Sequence, residues 1–427
     1  MSDTPYADLD PDRILDAVES LGLHADGRVL ALNSYENRVY RIGLEDGAPL
    51  VAKFYRPGRW TDAAIAEEHA FVLELQAADI PVVAPLAYGG ATLFPFEGHR
   101  FALYPMRGGH APELGDRTVL THLGRTLGRL HAVGDNAPFV HRGRIGIESH
   151  AEDPVHYLLE NDWLPPVLTS NFERLAEALL DAMDAAEERA GAVHLLRLHG
   201  DCHPGNILWR EDQALFVDFD DTLTGPAVQD LWMLLGRRED MAKPLRWLLE
   251  GYEQFRRFDR RELHLVEVQR TLRLLHYNAW IARRWHDPAF PVAFPWFQEP
   301  RHWESVITQM QEQLAALHEA PRPGLSRPAR LPCPHFLSRL ESRPMNPART
   351  LLPIAIVHSP WPPVRPPRRR RHRPRIRPRL PKPLRPTTRP RPRARPCRKC
   401  STPPPRPTGA RWTRRTRCTW TWAAAAW

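Results

Sequence analysis

Cysteine is scarce in this chain, and acidic residues nearly vanish from its last quarter. Five cysteines occur in 427 residues, and the first 320 hold one of them, Cys202. No disulfide can form within that part, and a reducing compartment is the default expectation. No run approaches the roughly 18 uninterrupted apolar residues of a membrane helix. The opening stretch, MSDTPYADLDPDRILDAV, is acidic and lacks an apolar core, which argues against a secretory signal. These absences predict a cytoplasmic protein with no membrane partner. Beyond residue 320, 26 Arg and 2 Lys stand against Glu341 alone, a charge of +27. The first 320 residues carry 31 basic and 49 acidic side chains, a charge of −18. The overall +9 describes neither part. Taken alone, it would point wrongly to nucleic acid.

The tail, 321–427, is rich in Arg and Pro, with runs such as Arg368-Arg369-Arg370-Arg371. Such a composition cannot bury a core, and disorder is expected. One reading is an arm for nucleic acid or an acidic surface. The other is translation of a GC-rich, non-native frame after a lost stop codon. Composition without an interaction motif favours the second, so nucleic acid is a partner only if the tail is genuine. Cys397 and Cys400 form C-x-x-C, but no second pair stands at zinc spacing.

The first 320 residues change pattern once. Residues 11–21 read as a helix, with Asp10 and Pro11 at its start. Strand patterns follow at 29–32, 38–42 and 50–54, the last two joined by a Glu45-Asp46-Gly47 turn. An acidic amphipathic helix is expected over 63–77, and two more strands at 82–85 and 100–104. After Gly108-Gly109 helices dominate: 119–132, 172–190, 227–235, 244–255, 263–285 and 303–318. The prediction is an α+β, bilobal fold. A small antiparallel-sheet N-lobe (1–107) is followed, through a hinge near 106–109, by a mostly helical C-lobe (108–320). A cleft between the lobes is a natural nucleotide site.

The informative motif is His199-Gly200-Asp201-Cys202-His203-Pro204-Gly205-Asn206, with Asp218-Phe219-Asp220 twelve residues later. Ile207-Leu208-Trp209 and Ala214-Leu215-Phe216-Val217 read as strands around the polar turn Arg210-Glu211-Asp212-Gln213. That hairpin would bring Asn206 and Asp218 together at one edge of the fold. A positioned carboxylate, Asp201, can accept a hydroxyl proton, while an amide oxygen and a second carboxylate can hold Mg²⁺ against a triphosphate. A lone D-x-x-x-x-N is usually a surface turn; His199 before it and Asp218 after it favour a site. Asp220 could be a secondary metal ligand or a structural group, and Asp221 reads as a solvated turn residue.

Lys53, on an apolar strand, can pair with phosphates and with a helix carboxylate, or it can snorkel. Glu67 and Glu68 both fall on the next helix, and Glu68 is the preferred partner. The turn Asn33-Ser34-Tyr35-Glu36-Asn37 lacks the glycines of a phosphate loop but stands where one would lie. Ser34 and the backbone amides there could donate hydrogen bonds. Cys202 and His203 are too few for zinc and read as packed or hydrogen-bonded. Trp232, Trp280, Trp285, Trp296 and Trp303 read as helical core, although the segment 277–285 could also wall a substrate side.

These residues resemble the aminoglycoside and choline kinase-like superfamily, in which H-G-D-x-H-x-x-N and a later D-x-D carry the chemistry. The runs Leu32-Asn33-Ser34-Tyr35-Glu36-Asn37-Arg38-Val39-Tyr40, Val51-Ala52-Lys53-Phe54-Tyr55-Arg56-Pro57 and Leu196-Arg197-Leu198-His199 resemble one of its families, bacterial stress response kinase A. So does Gly225-Pro226-Ala227-Val228-Gln229-Asp230-Leu231-Trp232. The resemblance implies a protein-kinase-like fold and an ATP- and Mg²⁺-dependent serine/threonine protein kinase. It further implies a cytoplasmic monomer that phosphorylates protein Ser/Thr and itself under envelope or oxidative stress. By position, Asp201 would be the proton acceptor, Asn206 and Asp218 would bind Mg²⁺, and Ser34 would lie at the ATP site. A small-molecule kinase with a hydroxyl acceptor of the aminoglycoside, choline or homoserine kind shares every one of these residues.

Overall fold

The computed structural model describes residues 5–319. The expected disorder of 321–427 and the boundary at 320 fall outside those residues. Helix α1 (Pro11–Glu19) begins where the Asp10 side chain accepts the Arg13 N–H at 2.8 Å and Pro11 fills the first turn. Strands β1 (Ala25–Ala31), β2 (Arg38–Leu44) and β3 (Leu50–Phe54) follow. Helix α2 (Asp62–Ala77), capped by Thr61, is inserted before β4 (Phe94–Phe96) and β5 (His99–Pro105). The five strands form one antiparallel sheet in the order β1-β2-β3-β5-β4.

One layer packs Ile42, Ala52, Phe54, Phe101 and Leu103 of the sheet with Ile14, Ala17 and Val18 of α1. Ala102 and Tyr55 pack instead with Ile65 of α2. Lys53 lies opposite Ala102 in the register, and paired residues share a face, so Lys53 is turned toward α2. Helix α2 is not one-sided as expected. Ile65 packs with the sheet, while Phe71, Val72 and Leu75 enter the core of the helical part. A helix enclosed by two layers buries both faces, and Glu68 and His69 are buried with it.

Residues 82–85, expected as a strand, form only a bridge: the Val83 N–H donates to the Phe216 carbonyl at 3.0 Å. The expected hinge is tied to the same place, because His110 and Trp209 exchange backbone hydrogen bonds of 3.1 and 2.7 Å. Both segments anchor on one hairpin of the helical part.

That part comprises α3 (Arg117–Gly134), α4 (Asp153–Glu160), α5 (Pro166–Ala190), β6 (Leu195–Arg197), β7 (Ile207–Arg210), β8 (Gln213–Phe216) and β9 (Thr224–Pro226). It continues with α6 (Gln229–Trp232), α7 (Ala242–Tyr252), α8 (Val266–Arg283), α9 (Ala289–Ala293) and α10 (Pro300–His318). The stripe Leu120, Leu123, Leu127 and Leu130 of α3 is fully buried. Helices α3 and α7 touch backbone to backbone. A methyl at Gly124 would stand 1.9 Å from the Leu248 carbonyl oxygen, and one at Gly251 equally near that of Thr121. The helix expected over 227–235 shrinks to the short α6, and that over 263–285 opens with a 3₁₀ turn, Arg260–Leu265. Helix α4, which follows a π turn and carries Pro154, has too few turns to show a period and was not expected.

Candidate active site

Strands β6 and β9 pair, so the chain between them leaves and returns to one place. From this base projects the β7–β8 hairpin, in register from Ile207 opposite Phe216 to Arg210 opposite Gln213. Glu211 and Asp212 both take positive φ, as a two-residue primed turn requires. At the foot of the hairpin the Val217 N–H donates to the Asn206 carbonyl at 3.0 Å. Asn206 and Asp218 are thereby brought to the same edge, as the spacing predicts.

The loop carrying Asp201 is held from beneath by Asp230, a fully buried carboxylate at the start of α6. Its oxygens accept the backbone N–H of His199 (2.8 Å) and of Gly200 (2.9 Å). The His131 Nε2–H donates to the same carboxylate at 3.0 Å. Gly200 takes φ +89°, and a Cβ there would stand 2.0 Å from the Asp221 carbonyl oxygen, so no other residue fits. His199 donates from Nε2 to the Val217 carbonyl at 2.9 Å and packs its ring on Phe219. Phe219 thus joins the two motif loops.

Asp201 has its Oδ1 2.6 Å from Nη1 of Arg273, on α8, and its Oδ2 3.5 Å from Nε2 of His203. Burial by itself would raise the Asp201 carboxyl, but the Arg273 guanidinium and then His203 outweigh it and hold it at about 2. Asn206 donates from Nδ2 to the Asp201 carbonyl at 2.9 Å, which leaves its amide oxygen as the free donor atom for a cation.

Lys53 lies at the centre of the other half. Its ammonium is 3.0 Å from Asp220 Oδ1, 3.2 Å from Asp218 Oδ1 and 3.7 Å from Glu68 Oε1. Burial would lower the Lys53 ammonium, yet Asp220, Glu68 and Asp218 raise it well above its ordinary value. Snorkelling is therefore not its state. Glu68 is completed by Arg142 Nη2 at 2.5 Å. Glu67 points elsewhere and accepts the N–H groups of Val140, His141 and Arg142 at 2.6 to 2.8 Å. The preference for Glu68 over Glu67 matches this geometry.

Asp220 is buried and ion-paired to both Lys53 and Arg59. Burial would raise it, but Arg59 and Lys53 drive it far below the carboxylate range. It is thus held inside the Lys53 ion-pair cluster. Asp221 is not simply a solvated turn residue, because Arg59 pairs with it too. Burial, reinforced by Asp220 against the pull of Arg59, pushes the Asp221 carboxyl up to about 6. Asp218 differs from buried Asp220: its side chain, like that of Asp221, is about half exposed, and its backbone is left-handed at φ +60°. A half-open carboxylate beside a free amide oxygen suits a hard cation that keeps water and phosphate oxygens as its other ligands.

Ser34 lies half-buried between β1 and β2, outside the Lys53 network. Its neighbours are firmly tied. Glu36 accepts from Trp280 Nε1 at 2.6 Å and pairs with Arg56 and Arg284. Asp287, fully buried, pairs with Arg56 (2.7 Å) and Arg38 (3.1 Å). Ion pairs therefore tie this turn to the end of β3 and to the segment around Asp287. Arg59, Arg142, Asp230 and Arg273 escaped the sequence reading. Only Asp230 carried a signal, a carboxylate in the apolar run Val228-Gln229-Asp230-Leu231-Trp232, where burial demands partners.

A sheet-plus-helix fold in which Lys53 meets Asp218, while Asn206 is bonded to the Asp201 backbone and to the strand leading into Asp218, is that of a kinase-like phosphotransferase. Two solved structures share the fold: an amicoumacin kinase, determined with AMP-PNP and Ca²⁺ (TM-score 0.54), and a microcompartment-associated aminopropanol kinase (TM-score 0.55). Each is 17% identical, covers 70% and 71% of this chain respectively, and is itself covered over 94% and 96%. Residues 28–266 match the phosphotransferase enzyme family. Stress response kinase A of Escherichia coli K12 and that of Salmonella paratyphi A are each 43% identical over 317 residues. The match spans 74% of this chain and 96% of theirs. A Salmonella typhimurium relative named serine/threonine protein kinase RdoA matches to the same extent. The chain belongs to the phosphotransferase enzyme family and, within it, to the stress response kinase A family.

Proposed function

We propose that this phosphotransferase is a serine/threonine protein kinase of the stress response, using ATP and Mg²⁺ in the cytoplasm and phosphorylating itself as well. Residues 1–107 form its nucleotide lobe and 108–320 its catalytic lobe. The positions of Asp201, Asn206, Asp218 and Lys53 support phosphoryl transfer, which a small-molecule kinase would share, so the protein acceptor rests on the relatives. Supporting it are the relative named as a serine/threonine protein kinase and the shared motif order.

Lys53, steadied by Glu68, orients the phosphates of ATP, and the Ser34 turn covers them. Asn206 and Asp218 would hold Mg²⁺, which when bound neutralises charge gathering on the transferring phosphoryl group. Asp201 aligns the acceptor hydroxyl with the γ-phosphorus. The oxygen–phosphorus bond to the acceptor forms as the bond to the β-phosphate oxygen breaks. The hydroxyl proton passes to Asp201, and ADP leaves. A carboxylate held near 2 is a weak base, so it orients first and takes the proton late, when the hydroxyl has become acidic.

The test uses γ-labelled ATP with the chain alone, with a generic protein and with a panel of hydroxylated metabolites. Label on protein is expected. A labelled metabolite with no labelled protein would instead make this a small-molecule kinase. Asp201→Asn should abolish transfer and spare ATP binding; normal turnover would remove Asp201 from the mechanism.

A further inference from the structure

We propose that Arg273 sets the charge of the acceptor. It admits a hydroxyl standing beside an anionic group and turns away one beside a cation. This rests on the protein-kinase reading, under which the acceptor is Ser or Thr within an acidic stretch.

Arg273 binds only one side of Asp201, pairing with Oδ1 at 2.6 Å. Oδ2 stays on the side of His203 and is the oxygen left for an incoming hydroxyl. The Arg273 side chain is 41% exposed, against 24% for Asp201. More of Arg273 than of Asp201 is thus open to solvent, so an acceptor approaching Asp201 would come up against the arginine as well. Its planar fork has five N–H donors and matches a carboxylate or phosphate in shape. An anionic group next to the acceptor hydroxyl would meet those donors, while an ammonium group would meet like charge.

The rest of the site points the same way. A cationic acceptor needs an unpaired carboxylate to offset its lost hydration. The buried carboxylates of the described site are already matched, Asp220 by Lys53 and Arg59 and Glu68 by Arg142; of the two half-exposed ones, Asp221 shares Arg59 and Asp218, beside Lys53, is the one assigned to the metal. Glu36 and Asp287 are matched by Arg56. Of the matched cations, Arg273 alone is paired to Asp201 and stands more than a third exposed. One turn further along α8, Tyr277 lies on the same face, exposed and stacked on Trp280 with ring centroids 5.8 Å apart. That pair offers a flat apolar surface beside the cation, suited to a polypeptide segment.

The test measures kcat/KM with labelled ATP and the full chain on three matched Ser peptides, flanked by Glu, Gln or Lys. A small hydroxy acid and choline are run beside them. Wild type should favour the Glu peptide over the Lys peptide by at least about tenfold, the size of one charged contact. Arg273→Gln should bring that ratio to within about twofold of unity, Arg273→Glu should invert it, and Arg273→Lys should keep most of it. The ratio within each variant does not depend on how much enzyme is folded. A wild-type preference for the Lys or Gln peptide, or an unchanged ratio in Arg273→Gln, overturns the inference. If only small molecules are labelled, the protein-kinase reading fails. The inference then stands on hydroxy acid over choline, and falls on the reverse.

Discussion

The two halves of the site are held by different forces. The Asp201 loop is fixed through its backbone. Asp230 accepts two main-chain N–H groups, Gln229 donates to the Gly200 carbonyl at 2.8 Å, and Thr222 donates to the carbonyl of Leu198. The Lys53 half is fixed through side-chain charges, with Lys53, Arg59 and Arg142 shared among Asp218, Asp220, Asp221 and Glu68. A backbone scaffold has one shape whatever is bound, which is what a group that must align a hydroxyl needs. A charge cluster can redistribute when a triphosphate and a cation arrive, because each carboxylate can trade a partner. One half is preformed, and the other is poised.

The largest test of this contrast is Asp230→Ala. It leaves the N–H groups of His199 and Gly200 buried without acceptors, so a loss of about 3–5 kcal/mol is expected. Activity should fall by about a thousandfold or more. Urea unfolding and the transfer assay read the two effects, and a stable, active variant would erase the proposed scaffold. Next is Asp218→Ala, which should leave the fold near wild type because that side chain is half exposed. It should remove metal-dependent nucleotide binding, and unchanged Mg²⁺ dependence by calorimetry would count against the assignment.

A third test uses pH. In the proposed mechanism Asp201 works ionised, and its carboxyl is held at about 2, so activity lost to its protonation should appear only in strong acid. Loss of Arg273 removes the main force opposing burial, so in Arg273→Gln the acid limb of kcat/KM should move upward in pH. A limb that stays in place would mean that other groups hold Asp201 down.

The backbone half was more legible in the sequence than the charged half. The hairpin could be read because the short apolar runs Ile207-Leu208-Trp209 and Ala214-Leu215-Phe216-Val217 flank a polar turn, and local chemistry dictates such pairing. Lys53 and Glu68 were legible because a lysine on an apolar strand needs a partner and the next helix offers one. Arg59, Arg142 and Arg273 were not legible. Each is separated from its partner by 72 to 162 residues, and arginine on a helix or loop looks the same in sequence whether it meets water or a carboxylate. Residues 82–85 were misread for a related reason: an apolar run promises an extended chain, not which sheet will take it.

The finest test compares two adjacent carboxylates that fall on opposite sides of this division. Glu67 accepts three backbone N–H groups of the 140–142 segment, while one residue on, Glu68 pairs with Lys53 and Arg142. Glu67→Gln keeps an acceptor oxygen but loses its charge, so a stability loss of about 1 kcal/mol is expected with a small change in rate. Glu68→Gln removes the charge that steadies Lys53, so the KM for ATP should rise and kcat fall, by about tenfold in kcat/KM. Arg142 links the two, because its backbone is held by Glu67 and its guanidinium by Glu68. In the double variant the effects on stability should therefore depart from additivity. Strict additivity would mean that the 140–142 segment does not transmit its position to the Lys53 cluster.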